Sequence, residues 1–174
     1  MIDQKFLASP TDKETLFKTL ENILISEGFQ IVQQDMKRPW GGFFVIDENQ
    51  IVSFKEKFFP ELDLDQVQLQ KKLSPKILLV APGERLSWQY HHRRAEVWKL
   101  INGNAGIIRS DSDDQNEPED MVVGELVKLK QGERHRLVGK DSWGVVAEIW
   151  MHTDQNNPSD EEDIVRLEDD YARK

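Results

Sequence analysis

Apolar residues recur with a helical period in one early stretch of the chain and form short strand-like runs after it. The stretch SPTDKETLFKTLENILISEGF begins with capping-box spacing between Thr11 and Glu14, and Gly28 ends the pattern. Its apolar stripe consists of Leu16, Leu20, Ile23 and Leu24. The spacing predicts one long amphipathic helix whose apolar stripe covers either the edge of the core or a second subunit.

From residue 29 onward, short β-rich runs alternate with Gly, Pro, Asn and Asp. The runs are FQIVQ, GGFFVID, IVSFKEKFF, KILLVAP, EVWKLING, NAGIIRS, MVVGELVKLK, HRLVG and WGVVAEIWM. Short strands at close spacing are typical of an antiparallel sandwich or barrel, and Asn102-Gly103 predicts a tight turn. PELDLDQVQLQKKLSP reads as a loop with one helical turn, and SDSDDQNEPED as an exposed acidic loop.

Composition narrows the range of functions. The chain has 174 residues, enough for one domain, and a formal net charge of -9, which argues against nucleic acid or an anionic membrane as a partner. It has no cysteine, which excludes disulfides, thiolate metal ligands and thiol nucleophiles. No apolar run has the ~20 residues of a membrane helix. The N-terminus lacks the apolar region of a secretory signal, so we expect a cytoplasmic protein.

Four side chains form a candidate metal site. Gln89 and His91 are two residues apart, so in a strand they point to the same face. Glu96 joins them only if the intervening HRRA turns or bulges. Gly132 predicts a turn just before His135, which offers a second imidazole from a distant strand. A nitrogen and oxygen donor set of this kind suits Zn, Mn, Fe, Ni or Co.

These residues carry a resemblance to the cupin superfamily. The first cupin motif is matched in register by Gly83, His91, Glu96 and Gly103, with Gln89 where the first histidine is usual, and the second motif by Gly132 and His135. The narrower Gln-x-His-His form resembles the cupin domain of type II mannose-6-phosphate isomerases. RPWGGF, PGERLSWQYHH and DIVRLEDDYARK are similar to that subgroup as well.

The resemblance spans most of residues 36–174 and implies both a fold and an activity. The fold is a mainly β, cupin-type double-stranded β-helix (a jelly-roll barrel) over residues 36–174, including a C-terminal tail packed on it, preceded by an N-terminal helical extension over 1–35. The activity is a metal-dependent aldose–ketose isomerisation of a sugar phosphate, such as mannose 6-phosphate to fructose 6-phosphate, with Zn the expected metal. Cupins often dimerise, so a homodimer is a further expectation.

Three departures from the family pattern leave other functions open. Lys130 replaces the proline of the second motif, and Arg93 and Val97 stand where histidines are usual. The same isomerisation of another sugar phosphate, such as a heptose phosphate, is one alternative. A non-catalytic cupin that binds metal and sugar is another, and a different metal-cupin reaction, by an iron-dependent oxygenase or an epimerase, is a third.

Isomerisation through an enediol requires a base, stabilisation of the enediolate oxygens and a phosphate clamp. Glu148, in the apolar strand VVAEIWM, is the candidate base, because burial in a barrel raises the pKa of a carboxyl group. Lys76 and Arg166, by resemblance, are further catalytic candidates. The candidate substrate contacts are Arg38 and Arg85, since arginine suits bidentate phosphate binding. His92, which faces the other way from its strand neighbour His91, is a third candidate contact.

Overall fold

The computed structural model describes residues 12–173, which begin with the predicted helix. Helix α1 spans Lys13–Ser26, and the carboxylate of Asp12 caps it by accepting a hydrogen bond from the backbone N–H of Thr15 at 2.9 Å. Thr11, the predicted start of the capping box, lies outside the described residues. The buried face of α1 consists of Leu16, Phe17, Leu20 and Leu24. The predicted amphipathic helix is therefore confirmed, and its apolar face packs on the core.

The rest of the described chain is mainly antiparallel β-structure, as predicted. Its nine strands are β1 (Ile31–Asp35), β2 (Gly41–Ile46), β3 (Leu73–Val80), β4 (Trp88–Tyr90), β5 (Arg94–Ser110), β6 (Glu119–Asp120), β7 (Leu126–Leu129), β8 (Arg134–His152) and β9 (Val165–Glu168). The strands follow the order β1-β2-β3-β8-β4-β9, and β5 pairs with β6, β7 and β8. All these pairs are antiparallel.

Two long strands bend and so belong to both halves of the barrel. The first half of β8 pairs with β4 and with the end of β5, and the second half pairs with β3 and with the start of β5. Gly139 lies at the end of the first of these pairings, and a Cβ there would stand 1.9 Å from the carbonyl oxygen of Ala81. The tight turn predicted at Asn102-Gly103 is wrong. Strand β5 continues through it, because two irregularities in its pairing with β8 absorb the extra residues.

The run IVSFKEKFF, predicted as a strand, is a helix. A 3₁₀ turn at Glu48–Gln50, capped by Asp47, leads directly into helix α2 (Ile51–Phe58). Phe54 and Phe58 are four residues apart and buried on one helical face, so their spacing fits a helix better than a strand. The helical turn predicted further on is confirmed as α3 (Gln66–Gln70).

The alternation of side chains along the strands separates two apolar clusters. Ile77 of β3 lies in the cluster that packs against α1 and α2, whereas Leu78 faces the other cluster, inside the barrel. Lys76 is two residues before Leu78 and therefore also faces the interior. It is paired in register with Glu148 of β8, which is paired in turn with Trp98 of β5. A row of polar and aromatic side chains thus crosses the barrel interior.

Among the residues described, no helix is long and apolar enough to span a membrane.

Candidate metal centre and active site

His91, Glu96 and His135 meet inside the barrel. One donor atom from each lies within 4.8 Å of the others, and all three side chains are 2% exposed. Gly132, with a φ of 78°, makes the predicted turn before β8, and its N–H donates to the carbonyl of His91 at 3.1 Å. The two sequence-distant motifs are brought together by this turn and by the pairing of Gln89 with His135.

Backbone carbonyl groups set the orientation of both imidazoles. His91 Nδ1 lies 2.7 Å from the carbonyl oxygen of Asp163, and His135 Nδ1 lies 2.9 Å from that of Glu133. A carbonyl oxygen can only accept, so each Nδ1 carries a proton, and in a neutral imidazole the lone pair is then on Nε2. Both Nε2 atoms lie close to Glu96, that of His91 3.2 Å from Oε1 and that of His135 3.3 Å from Oε2. Metal-ligating histidines are commonly oriented in this way, by a hydrogen bond from the other ring nitrogen.

The triad fits a metal cation. Glu96 Oε2 and His135 Nε2 are 3.3 Å apart, and both are buried acceptors without a hydrogen bond. Burial raises the pKa of Glu96, but its imidazole neighbours and the guanidinium of Arg94 outweigh this effect and hold the pKa well below its ordinary value. Burial lowers the pKa of His91 to about 3. At neutral pH the triad therefore presents one carboxylate and an unprotonated imidazole nitrogen, which suits a divalent cation.

Gln89 lies beside the triad, half-buried. Its Nε2 is 3.5 Å from His91 Nε2, and its Oε1 accepts a hydrogen bond from the hydroxyl of Ser87. Rotation of the amide by half a turn would exchange these two atoms and bring the oxygen toward the triad. The structure thus brings Gln89 to the predicted place, and the direction of its amide decides whether it is a ligand.

A C-terminal segment, residues 159–163, holds the turn between Gln89 and Glu96. The carboxylate of Asp163 accepts hydrogen bonds from the backbone N–H groups of His92 and Arg93, at 2.9 and 3.0 Å. It also accepts a hydrogen bond from the hydroxyl of Ser159 at 2.6 Å. The turn that the spacing of His91 and Glu96 requires is therefore present, and the DIVR motif near the end of the chain stabilises it.

Glu148 is a buried carboxyl group held by two indoles. Its Oε2 accepts a hydrogen bond from Trp98 Nε1 at 2.7 Å, and its Oε1 accepts one from Trp150 Nε1 at 2.8 Å. Burial raises the pKa of Glu148 to about 8, and the negative charge of Glu96 acts in the same direction. A carboxyl group with a pKa in this range can accept and return a proton near neutral pH.

Lys76 lies beside this carboxyl group and is 6% exposed. Its ammonium group is 3.6 Å from the ring centroid of Trp150 and 2.6 Å from Glu161 Oε1. Glu161 is exposed, whereas Lys76 is not. The ammonium group is thus fixed by an aromatic face inside the barrel and by one carboxylate at the surface.

A cavity of about 80 Å³ lies between these groups and opens to the surface. The predicted site residues that line it are Arg38, Lys76, Gln89, Glu96, Glu148 and Arg166. Arg173, which sequence reasoning missed, lines it as well. Burial lowers the pKa of Arg166, and the positive charge of Arg173 acts in the same direction. With Arg94, four arginines therefore line one cavity.

Two predicted substrate contacts lie elsewhere. Arg85 forms a two-point ion pair with Asp170, at 2.6 and 3.0 Å. His92 is exposed and makes an edge-on contact with the ring of Tyr90, 5.3 Å between centroids. Neither lines the cavity. The opposite orientations of His91 and His92 follow from their adjacent positions at the end of a strand.

Three interior residues were not predicted from the sequence, although the two-residue alternation of a strand would have placed them beside Glu96 and Glu148. Arg94 and Trp98 flank Glu96 at two residues on either side, and Trp150 follows Glu148 by two. In a strand these positions share one face with the residue already identified. Arg94 is the most consequential of them, since its guanidinium reaches Glu96 Oε1 at 2.7 Å.

We expect the stability of the protein to depend on the ionisation of His152. This residue is 4% exposed, its Nδ1 accepts the backbone N–H of Ser159 at 2.9 Å, and burial lowers its pKa to about 4. The unfolded chain binds a proton at this residue near pH 6.5 and the folded chain does not, so its contribution is present above pH 6.5 and is lost as the pH falls toward 4.

Between pH 6.5 and pH 4, the free energy of unfolding of the wild type should therefore fall more steeply than that of His152→Gln, by up to about 1 kcal/mol per pH unit. Urea unfolding followed by circular dichroism at several pH values measures the difference. His92→Gln, which removes an exposed imidazole, is the matched control. Equal pH dependence of wild type and His152→Gln would contradict the assignment.

A bent antiparallel barrel with two histidines and a glutamate meeting inside it defines a cupin. The family described as mannose-6-phosphate isomerase C-terminal matches residues 49–169. The chain belongs to this family. The resemblance inferred from Gln89, His91, Glu96 and His135 is therefore confirmed.

Several curated proteins are similar to this chain. The xanthan biosynthesis protein XanB of Xanthomonas campestris pv. campestris (strain B100) is 31% identical over 136 residues, 78% of this chain and 23% of that protein. The alginate biosynthesis protein AlgA of Pseudomonas aeruginosa is 30% identical over 142 residues, 80% of this chain and 23% of that protein. A mannose-1-phosphate guanylyltransferase of Salmonella montevideo is 26% identical, over 80% of this chain and 28% of that protein. The chain thus spans less than a third of the length of these relatives.

Solved structures share the fold at low identity. A mutant of Bacillus subtilis oxalate decarboxylase OxdC aligns with a TM-score of 0.54 and 13% identity, over 78% of this chain and 30% of that one. CapF in complex with 3-isopropenyl-tropolone aligns with a TM-score of 0.52 and 18% identity, over 78% of this chain and 34% of that one. At these identities the likeness concerns the fold alone.

Proposed function

We propose that this chain is a metal-dependent aldose–ketose isomerase that acts on a sugar phosphate, with mannose 6-phosphate and fructose 6-phosphate as the interconverted pair. One observation carries the proposal: Glu96 of the metal-binding triad, the buried carboxyl group of Glu148 with a pKa of about 8, and a group of arginines line one cavity. Membership of the mannose-6-phosphate isomerase C-terminal family supports the choice of substrate.

The triad and its neighbour would hold the cation. His91, Glu96 and His135 supply two imidazole nitrogens and a carboxylate oxygen, and Gln89 adds an amide oxygen once its amide is reversed. We propose Zn for this nitrogen and oxygen donor set, which Mn, Fe, Co and Ni also suit. When bound, a divalent cation supplies a Lewis acid for the oxygens of the sugar.

Glu148 is the proposed base. It removes the proton from the carbon next to the carbonyl group and returns it to the former carbonyl carbon, while the hydroxyl proton passes to the former carbonyl oxygen. An aldose is thereby converted into a ketose through an enediol. The two indole N–H groups of Trp98 and Trp150 hold the carboxyl group in place during both transfers. The positive charge of Lys76 lies beside this carboxyl group and stabilises the enediolate oxygens as negative charge develops on them.

The cluster of Arg38, Arg166 and Arg173 is the proposed phosphate clamp. All three line the cavity, and a planar guanidinium binds two phosphate oxygens at once. Arg85 does not line the cavity and is left out of the proposed clamp. This arrangement predicts a strong preference for a phosphorylated sugar over the free sugar.

Incubation with mannose 6-phosphate in deuterated water tests the proposal. Protein loaded with Zn, Mn, Co or Fe should form fructose 6-phosphate and incorporate deuterium at the carbon next to the carbonyl, as NMR and mass spectrometry would detect. Free mannose should react at least about 100-fold less efficiently, because it cannot use the binding energy of the clamp.

Chelator-treated protein serves as the control for the metal. Tight metal binding without deuterium exchange on any sugar phosphate would overturn the proposal and favour a non-catalytic cupin. Oxygen consumption in the iron-loaded protein would instead favour an oxygenase. Exchange on a different sugar phosphate, such as a heptose phosphate, would keep the reaction and correct the substrate.

A further inference from the structure

A buried guanidinium group reaches into the metal triad. Arg94 is 5% exposed, and its Nε donates to Glu96 Oε1 at 2.7 Å. Its Nη2 lies 3.2 Å from His91 Nε2. Arg94 therefore contacts two of the three members of the triad, through the atoms that face the centre of the site.

Further contacts hold this guanidinium in place. Its Nη1 donates to the hydroxyl of Ser159 at 2.8 Å and to the carbonyl oxygen of Asp160 at 3.1 Å. Its Cζ is 3.6 Å from the ring centroid of Trp150. The 159–163 segment and an indole thus fix a permanent positive charge beside the triad, where solvent does not screen it.

The contact with His91 conflicts with metal binding. His91 Nδ1 carries the proton donated to the carbonyl of Asp163, so Nε2 has a single lone pair. That lone pair accepts the N–H of Arg94, and it is also the one that would ligate a cation. In addition, two positive charges held a few ångströms apart in a buried site repel each other strongly.

The two carboxylate oxygens of Glu96 have different partners. Arg94 takes Oε1, whereas Oε2 has no hydrogen bond and lies 3.3 Å from His135 Nε2. A cation can therefore use Oε2 and His135 without displacing Arg94 from Glu96. Only the contact between Arg94 and His91 has to be given up.

We propose that Arg94 is an internal cation that competes with the divalent metal for His91 and weakens metal binding, so that the metal is held exchangeably. This inference rests on the metal site of the proposed function and adds a residue that regulates it. Neutral replacements of Arg94 should therefore bind the metal more tightly than the wild type, although they remove a contact of the metal ligand Glu96.

Arg93 provides a matched control. It is the preceding residue and carries the same charge, but its guanidinium points to Asp160, at 3.3 Å, and not into the triad. Arg93→Met and Arg94→Met therefore change the net charge of the protein equally at neighbouring positions. A difference between them reports the position of the guanidinium in the site.

Calorimetric titration of Zn and of Mn into chelator-treated protein, without sugar and at one pH, tests the inference. Arg94→Met and Arg94→Gln should bind each metal at least about tenfold more tightly than the wild type, and Arg94→Lys and Arg93→Met within about threefold of it. Circular dichroism establishes that each variant is folded. Arg94→Gln retains an amide that can donate a hydrogen bond to Glu96. The comparison therefore relies on Arg94→Gln if Arg94→Met does not fold.

The inference is overturned if the folded neutral variants bind metal no more tightly than the wild type, or if Arg94→Lys binds as tightly as they do. It is also overturned if neither wild type nor variants bind metal, since the site itself would then be misassigned. Metal binding only after neutral replacement of Arg94 supports it. No sugar is present, so failure of the isomerase assay leaves these outcomes unaffected.

Discussion

Replacing His135 with alanine is expected to remove the metal from the protein and to abolish isomerisation. His135 supplies the lone pair of a buried Nε2 that has no other partner, and its Nδ1 is already held by the carbonyl of Glu133. Residues that only orient metal ligands contribute about 10- to 100-fold to metal affinity, so a direct ligand should contribute more than about 100-fold.

Metal content after dialysis, measured by mass spectrometry, and calorimetric titration check this expectation. His92→Ala is the matched control, because His92 adjoins His91 in sequence but is exposed and outside the cavity. It should bind metal as the wild type does. Wild-type metal affinity in His135→Ala would show that the triad is not the metal site.

Replacing Glu148 with glutamine is expected to lower kcat by about 10²- to 10⁴-fold, the usual contribution of a general base. Metal affinity should change little, because Glu148 is not a member of the triad. A glutamine side chain has one acceptor oxygen for the two indole N–H groups of Trp98 and Trp150, so thermal unfolding has to be measured on the same protein.

The pH dependence gives a second test of Glu148. Burial raises its pKa to about 8, so the ionised, basic form accumulates as the pH rises toward 8, and kcat should rise with it in the wild type. The variant should lose this rise. Glu125→Gln, which changes an exposed carboxyl group outside the cavity, is the control. Unchanged turnover in folded Glu148→Gln would assign the base elsewhere.

The same raised pKa should make Glu148 a source of instability. Its folded pKa of about 8 exceeds the ordinary value of 4.5, so the unfolded chain releases this proton first as the pH rises. The contribution of Glu148 to the free energy of unfolding therefore falls as the pH rises from 4.5 to 8. A catalytic role is one reason for a protein to keep a buried carboxyl group at such a cost.

Motif spacing alone was sufficient to identify the triad. His91 and Glu96 are close in sequence, and a turn between them was the only way to bring both to one point. Gly132 predicted the turn before His135, and its φ of 78° confirms it. The amphipathic pattern of α1 was equally readable, because a helical period of 3.6 residues is a local property.

Local patterns were insufficient where tertiary contacts decide the outcome. The apolar run IVSFKEKFF suits a strand or a helix, and the capped turn at Glu48–Gln50 together with the burial of Phe54 and Phe58 selects α2. Asn102-Gly103 is a common turn signal, yet β5 pairs with β8 both before and after this dipeptide, which therefore stays within one strand. Propensity is a weak preference that packing can override.

The class of fold, the meeting of the triad and the burial of Glu148 could therefore be predicted from the amino-acid sequence, because each depends on a local period or a motif spacing. Which cations face the cavity is settled by contacts between distant parts of the chain. Arg85 pairs with Asp170 and stays outside, whereas Arg94 is drawn into the triad by Ser159 and Glu96. Long flexible side chains of equal charge are distinguished by the partners they meet, and those partners lie far away in sequence.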